Sequence, residues 1–241
     1  MSTQYIHPIT SAIREITQIF GRMGFSVADG PEQEDDWHNF TGLNVPKDHP
    51  ARDMQDTLWL PDGRVMRTHT SSVQIRWMET HQPPIRIIIP GKAYRNEATD
   101  MTHEAQFYQV EALVIDEQTN MANFKGVLER FFSEFFKGRV DVRLRPSFFG
   151  FTEPSVEIDM RLTGESAPPK LRDKWIEMMG GGMVHPQVLN NVGIDPKRYQ
   201  GFAFGGGLER LCMLKWGIDD VRIFHTGDLR LVHQFPTANP V

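Results

Sequence analysis

Three stretches of this chain alternate polar and apolar residues with a period of two, and nothing else in it limits the fold as strongly. Val140, Val142 and Leu144 alternate with Asp141, Arg143 and Arg145. Val156, Ile158 and Met160 alternate with Ser155, Glu157 and Asp159. Over 107–115, Phe107, Gln109, Glu111, Leu113 and Ile115 fall on one face of a strand. Segments of this kind want an antiparallel sheet with one face covered and the other open. The cover is supplied by residues 8–23 and 121–136, whose apolar positions recur at helical spacing. The expectation is an α+β fold, a mostly antiparallel sheet flanked by helices.

The other elements are shorter. Arg86-Ile87-Ile88-Ile89 reads as a short buried strand stopped by Pro90-Gly91. Trp175 to Val184 reads as a strand interrupted by Gly180-Gly181-Gly182, and a glycine-rich strand at 201–206 leads into a helix at about 207–216. Residues 25–62 are acidic and turn-rich, and Thr163 to Lys170, with Pro168-Pro169, reads as a surface loop. No linker divides the chain, so residues 1–241 are expected to form one domain. The net charge of −5 argues against a protein that coats nucleic acid nonspecifically, though not against a local basic patch. Cys212, the only cysteine, cannot form an internal disulfide, which makes a reducing, cytoplasmic compartment the expectation. No membrane span or secretory signal is evident.

Several residue groups could carry chemistry, and each also has a plain alternative. Phe107, Gln109 and Glu111 in one row suit a ligand with an ammonium group and a flat ring; they also suit a solvated sheet face. Arg95 in Tyr94-Arg95-Asn96-Glu97 could hold a phosphate with its forked donors, or form a surface pair with a glutamate. His69, Ser71 and Gln74 could bind an amine or a carboxylate. Thr70, Ser71 or Ser72 could equally cap a helix through Val73 and Trp77. A Ser–His nucleophile lacks a glycine-flanked serine elbow, and zinc on His69 and His103 lacks ligand spacing. Phe149 and Phe151 could form a slot for a flat apolar side chain over a bare floor of Gly201, Ala203 and Gly205, or could be core packing. Arg210, at the start of the last helix, could stack on a base or hold a phosphate, or could pair with Glu209. The preceding Gly205-Gly206-Gly207 is not a P-loop, since no Gly-Lys-Ser/Thr follows.

Taken in order, these groups are far more specific than any one of them. A Gly-Pro-Glu turn is followed by His-x-Ser-x-x-Gln, Tyr-Arg-Asn-Glu and Gln-x-Glu. Then come Phe149-Gly150-Phe151-Thr152-Glu153-Pro154 and Gly201-Phe202-Ala203-Phe204-Gly205-Gly206-Gly207-Leu208-Glu209-Arg210. From about His7 to Phe235 the chain resembles the alpha subunits of phenylalanyl-tRNA synthetases, a class II aminoacyl-tRNA synthetase family. The resemblance implies that residues 8–31 are motif 1, which builds the subunit interface and would leave an apolar surface exposed without a partner. It implies that Arg95 and Glu97 belong to motif 2, with Arg95 on the ATP α-phosphate, and that Phe107 and Arg210 lie on either side of adenine. Ser71, Gln109 and Glu111, with His69 and Gln74 nearby, match groups around the amino and carboxyl ends of phenylalanine. Phe149, Phe151 and Ala203 match the side-chain pocket, and Glu153 matches a Mg²⁺ ligand shared with a beta subunit.

The implied activity is ATP-dependent formation of phenylalanyl-adenylate and transfer of phenylalanine to tRNA(Phe), with a beta subunit as partner in an α2β2 heterotetramer. The family's N-terminal coiled coil is expected to be absent, because the catalytic pattern begins by residue 7. Gly181 stands where the family commonly has Cys, and the expected effect is a slightly larger pocket. Rival readings are a synthetase of the same fold for phosphoserine or pyrrolysine, and a catalytically silent paralogue that binds a ligand or partner. The aromatic pair argues against the first, and the presence of both Arg95 and Arg210 against the second.

Overall fold

The computed structural model describes residues 4–52, 57–164 and 171–236. The expected loop at 163–170 therefore lies mostly outside the described residues. In chain order the elements are α1 (Pro8–Arg22), β1 (Ser26–Val27), β2 (Gln33–Glu34), β3 (Val65–Met66), α2 (Ser72–Thr80), β4 (Ile85–Tyr94) and β5 (Gln106–Asp116). Then come α3 (Met121–Phe136), β6 (Arg139–Phe149), β7 (Thr152–Thr163), β8 (Ile176–Val184), α4 (Pro186–Asn191), β9 (Gln200–Gly207), α5 (Leu208–Trp216) and α6 (Leu229–Val232). A turn of π-helix, Trp37–Thr41, lies between β2 and β3.

Seven strands form one sheet in the order β1-β4-β5-β9-β8-β7-β6, antiparallel at every pairing except β1 with β4. The alternation sorts side chains as the sequence predicts. On one face Val110, Ala112 and Val114 of β5, Val140 and Val142 of β6, and Val156, Ile158 and Met160 of β7 join Phe20 of α1, Phe124, Phe131 and Phe135 of α3, and Leu211 of α5 in the main core. Burying side chains of this size contributes about 1.5–3 kcal/mol each. α3 begins with a reciprocal cap, in which Asn120 and Asn123 each accept the other's backbone N–H.

On the opposite face a smaller core holds Val73, Ile75 and Met78 of α2 against Ile87, Ile89, Leu113, Ile115 and Ala203. It covers only one end of the sheet. The rest of that face carries polar and aromatic side chains, and the candidate site lies there.

Two expectations are corrected here. β4 does not stop before Pro90; it continues to Tyr94, paired with β5 throughout. Past Ile88, β1 has ended, so the missing N–H of Pro90 breaks no ladder bond. The edge that β1 leaves is covered by Arg67, whose Nε donates to Lys92 O (2.6 Å) and whose carbonyl accepts from Tyr94 N–H (2.9 Å). Residues 8–31, expected to be motif 1, do not present their helix as a bare apolar surface. The apolar stripe of α1, including Ile9, Ile16, Ile19 and Phe20, is buried in the chain's own core, and Val27 is the one large hydrophobic of residues 8–31 that is well exposed.

Candidate active site

The site begins on β5, where Gln109 and Glu111 face the same side and are both buried. The hydroxyl of Ser71 and the amide nitrogen of Gln74 both donate to Glu111 Oε2, each at 2.7 Å. Thr70 N–H donates to Gln109 Oε1 at 3.2 Å. Ser71 occupies the N-cap position of α2, yet no side-chain cap bond forms there, because its hydroxyl is committed to Glu111. The helix-cap alternative is thereby corrected: position 71 starts the helix, but its side chain serves the pocket.

Glu111 reaches into the pocket because β9 opposite it has no side chain. A Cβ on Gly205 would lie 2.4 Å from Glu111 Cγ. Gly201 is bare for another reason, since a Cβ there would meet Ile115 at 2.3 Å, so of the expected bare floor only Ala203 and Gly205 border the cavity. Burial raises the pKa of Glu111, against the opposing effect of the hydrogen bonds from Ser71 and Gln74. A buried carboxylate with neutral partners is a site for a cation.

The other end of the same cavity, about 360 Å³ in volume, is aromatic. Phe149 and Phe151 stack with centroids 5.8 Å apart and planes 10° from parallel. They are not neighbours on one strand: Phe149 ends β6 and Gly150-Phe151 form the turn into β7. Gly180 of β8 makes room for Phe149, whose Cζ would be 2.7 Å from a Cβ there. The His69 ring lies 6.3 Å from that of Phe151, and its Nδ1 has no hydrogen-bond partner within the protein. Burial first, then the charges of Arg95 and Arg67, lower its pKa to about 3, so it is neutral at physiological pH. No Ser–His pair forms, since Ser71 bonds Glu111 instead. His103 is paired with Asp100 in an exposed loop, so the zinc alternative finds no support in the structure.

A second hollow, about 550 Å³, adjoins the first and is lined by Arg95, Glu97, Phe107 and Arg210. Arg95 follows the last residue of β4. Its guanidinium lies 5.1 Å from the Phe107 ring centroid, its Nε donates to Thr68 O (3.2 Å), and its Nη1 is 3.9 Å from Glu97. Arg210 faces Phe107 from α5 and is exposed. Its alternative partner, Glu209, is buried and accepts Tyr108 N–H at 2.7 Å, which pins α5 to β5. Among the described residues Arg210 therefore has no ion pair and stays available to an anion or a ring.

Glu153 is placed apart. It is exposed near the start of β7 and lines a hollow with Asn44, His185 and Asn191, away from Arg95 and Arg210. Mg²⁺ prefers about six oxygen ligands in octahedral geometry. One exposed carboxylate fits as a single ligand, with the others supplied from elsewhere. At Gly181 a Cβ would lie 2.7 Å from Phe204 Cβ and 2.6 Å from Ala203 O, so β9 approaches β8 closely there. Gly181 and Phe204 both border the amino-acid cavity, and Phe204 also packs in the helix-covered core.

Sequence reasoning missed Glu157, which lines both hollows and accepts from the Ser147 hydroxyl (3.0 Å), although alternation sets it opposite Val156 and Ile158. It also missed Arg67, 2% exposed, which donates to Gly30 O (3.1 Å) and Lys92 O (2.6 Å) and so ties the Gly-Pro-Glu turn to β4. A basic residue two before His69 was the available signal.

A seven-stranded sheet thus carries a carboxylate–aromatic cavity beside an arginine-flanked hollow. The family model of the class II tRNA synthetase core domain (F) matches residues 1–235, and the chain belongs to that family, which uses ATP. Its relatives narrow the class. The chain is 52% identical over 233 residues to the phenylalanine–tRNA ligase alpha subunit of Azotobacter vinelandii, covering 95% of this chain and 69% of that one. It is 50% identical over 230 residues to the alpha subunit of Xanthomonas euvesicatoria, covering 95% and 68% respectively. The solved pyrrolysyl-tRNA synthetase of Desulfitobacterium hafniense superposes with a TM-score of 0.71 over 96% of this chain and 77% of that one, at 16% identity, which bears on the fold alone.

Proposed function

We propose that this chain is the catalytic part of a phenylalanine–tRNA ligase, forming phenylalanyl-adenylate from ATP and phenylalanine and transferring phenylalanine to tRNA(Phe). One observation carries the reading: a buried carboxylate held by Ser71 and Gln74 stands at one end of a cavity whose other end is the stacked pair Phe149 and Phe151. That is the negative image of a phenylalanine ammonium and ring. The relatives named above bear the same activity in their names.

The chemistry follows from placement. The ammonium sits on Glu111 and Gln109, and the ring lies against Phe149, Phe151 and Ala203, which turns the carboxylate toward Arg95. Adenine lies between Phe107 and Arg210, and the α-phosphate meets Arg95 and Glu97's side of the hollow. A carboxylate oxygen attacks the α-phosphorus in line, the bond to the β-phosphate oxygen breaks, and pyrophosphate leaves. The ribose hydroxyl of the tRNA end then attacks the carbonyl carbon and AMP leaves. Positioning and charge stabilisation by Arg95 and Arg210 supply the catalysis, and no covalent enzyme intermediate is needed. His69, kept neutral, lines the cavity without repelling the ammonium.

Glu153 would be one ligand of a Mg²⁺ ion shared with a beta subunit, an ion that supplies charge neutralisation. Residues 1–241 act as one catalytic domain, in the cytoplasm, within an α2β2 assembly. Among the described residues no helix is long and apolar enough to cross a membrane. The test is ATP–pyrophosphate exchange by the chain assembled with a beta subunit, across amino acids. Phenylalanine should drive it; exchange driven by another amino acid and not by phenylalanine would sink the reading.

A further inference from the structure

Three hollows meet at Arg95: the amino-acid cavity, the nucleotide hollow and a third toward the β6–β7 turn. Of these, Phe107 and Arg210 line only the nucleotide hollow, so the gap between them sets its grip on a ring. That gap is fixed from behind. Tyr108 follows Phe107 on β5, Glu209 precedes Arg210 on α5, and the Glu209 carboxylate accepts Tyr108 N–H at 2.7 Å. Glu209 is 3% exposed, and a buried carboxylate held by one neutral donor is costly without a cation.

The cation is His225. It ends a single 3₁₀ turn, Val221–Phe224, and its Nε2 lies 3.5 Å from Glu209 Oε1. That nitrogen is buried and makes no hydrogen bond within the protein. Among the described residues no other cation comes within ion-pair reach of Glu209. The turn that carries His225 is tied on two sides. Val221 N–H donates to Met101 O (3.0 Å), in the loop whose Thr102, His103 and Glu104 line the nucleotide hollow. His7 Nε2 donates to Phe224 O (3.1 Å), while His7 Nδ1 accepts Ile9 N–H (3.3 Å). A ring that donates from one nitrogen and accepts at the other is neutral. The two histidines thus take opposite states. Burial lowers the pKa of His7, whereas the Glu209 carboxylate raises that of His225 by more than burial lowers it. The other charges facing His225 are Glu104, which favours the imidazolium, and Lys92 of β4, which opposes it.

We propose that His225 is a positioning residue for the nucleotide: as an imidazolium it holds Glu209, and through Glu209 the spacing of Phe107 and Arg210, so that the hollow takes adenine more tightly when His225 is charged. The inference rests on the adenylate-forming reading above and adds a proton to it. His225 does not line the nucleotide hollow and acts only through Glu209. The imidazolium is present below its raised pKa and is lost as pH rises through a value above the ordinary 6.5, so affinity for ATP should fall over that range. Linkage is reciprocal, so an adenine ligand favours the imidazolium and draws a proton from solution.

The test uses the chain assembled with a beta subunit, unsubstituted and as H225Q, which can donate to Glu209 but carries no charge. KM for ATP in phenylalanine-dependent ATP–pyrophosphate exchange is measured from about pH 6 to about pH 8.5, across the range where histidine titrates. The ratio of KM in H225Q to KM in the parent cancels the ionisation of ATP itself. It should be about fivefold or more at the acid end, the lower end of ordinary coupling between two sites, and approach one at the alkaline end. kcat and the KM for phenylalanine should stay within about twofold. A ratio that does not change with pH overturns the inference, because lost packing weakens affinity at every pH. A matching loss in kcat or in the KM for phenylalanine overturns it as well. A second measurement needs no variant. Adenosine does not titrate near neutral pH, so its calorimetric titration into the unsubstituted assembly, in two buffers of different ionisation enthalpy, counts the proton directly. Uptake of a fraction of a proton near about pH 7.5 is expected, and none overturns the inference even where H225Q fails to assemble. Absence of phenylalanine-dependent exchange in the unsubstituted protein is a failure of the reading beneath, and the adenosine titration still decides the role of His225.

Discussion

Glu111 concentrates the chemistry of the amino-acid cavity at one residue. Its pKa is raised in the folded chain because burial disfavours the anion more than Ser71 and Gln74 favour it. Folding thus favours the neutral acid. That contribution is complete below the unfolded carboxylate pKa and is lost as pH rises through the folded one. Denaturation midpoints of the ligand-free protein should therefore decline over that pH range, and E111Q should flatten the decline. On the proposed reading the ammonium of phenylalanine binds the anion, so E111Q should also weaken phenylalanine binding by about 100-fold, on the scale of one buried charge-assisted hydrogen bond. Calorimetric titration checks this, and equal binding by E111Q would remove Glu111 from the role. Arg95→Ala should abolish detectable exchange while the circular dichroism spectrum and melting temperature stay close to those of the parent, because Arg95 is about 40% exposed and makes only peripheral bonds.

At the scale of elements, α2 and β9 illustrate what the sequence makes visible. Ser71→Ala distinguishes the two jobs a serine can have at a helix start. A capping serine would cost about 0.5–2 kcal/mol of stability when removed. Since Ser71 donates to Glu111 and not to the helix, the substitution should raise the KM for phenylalanine with a smaller loss of stability. Gly205→Ala should be worse than its small volume suggests, because the new methyl meets Glu111 Cγ; amino-acid KM is the quantity to measure. Strand phase was legible from alternation alone, and so were α1 and α3, because both depend on neighbours a few residues apart. The length of β4 was not. Whether Pro90 ends a strand depends on whether another strand lies beside it, and β1 lies 61 residues upstream at the pairing of Ser26 with Ile87.

For the whole molecule, the order of motifs along the chain singled out the candidate site residues without any knowledge of contacts. Their mutual geometry was not legible in that order, since Ser71, Glu111, Phe149 and Ala203 come from the N-cap of α2, β5, β6 and β9. The exposed face of the sheet exists because the second core stops short, and the same shortfall leaves room for three cavities that meet at Arg95. One cationic side chain bordering all three of these cavities has a thermodynamic consequence. Any ligand that draws the guanidinium toward itself alters the field felt in the adjoining cavities, so the occupants are linked. Linkage is reciprocal: if ATP tightens phenylalanine by some factor, phenylalanine tightens ATP by the same factor. The two affinities should therefore move together in a two-ligand titration, and shortening Arg95 should pull them back toward independence.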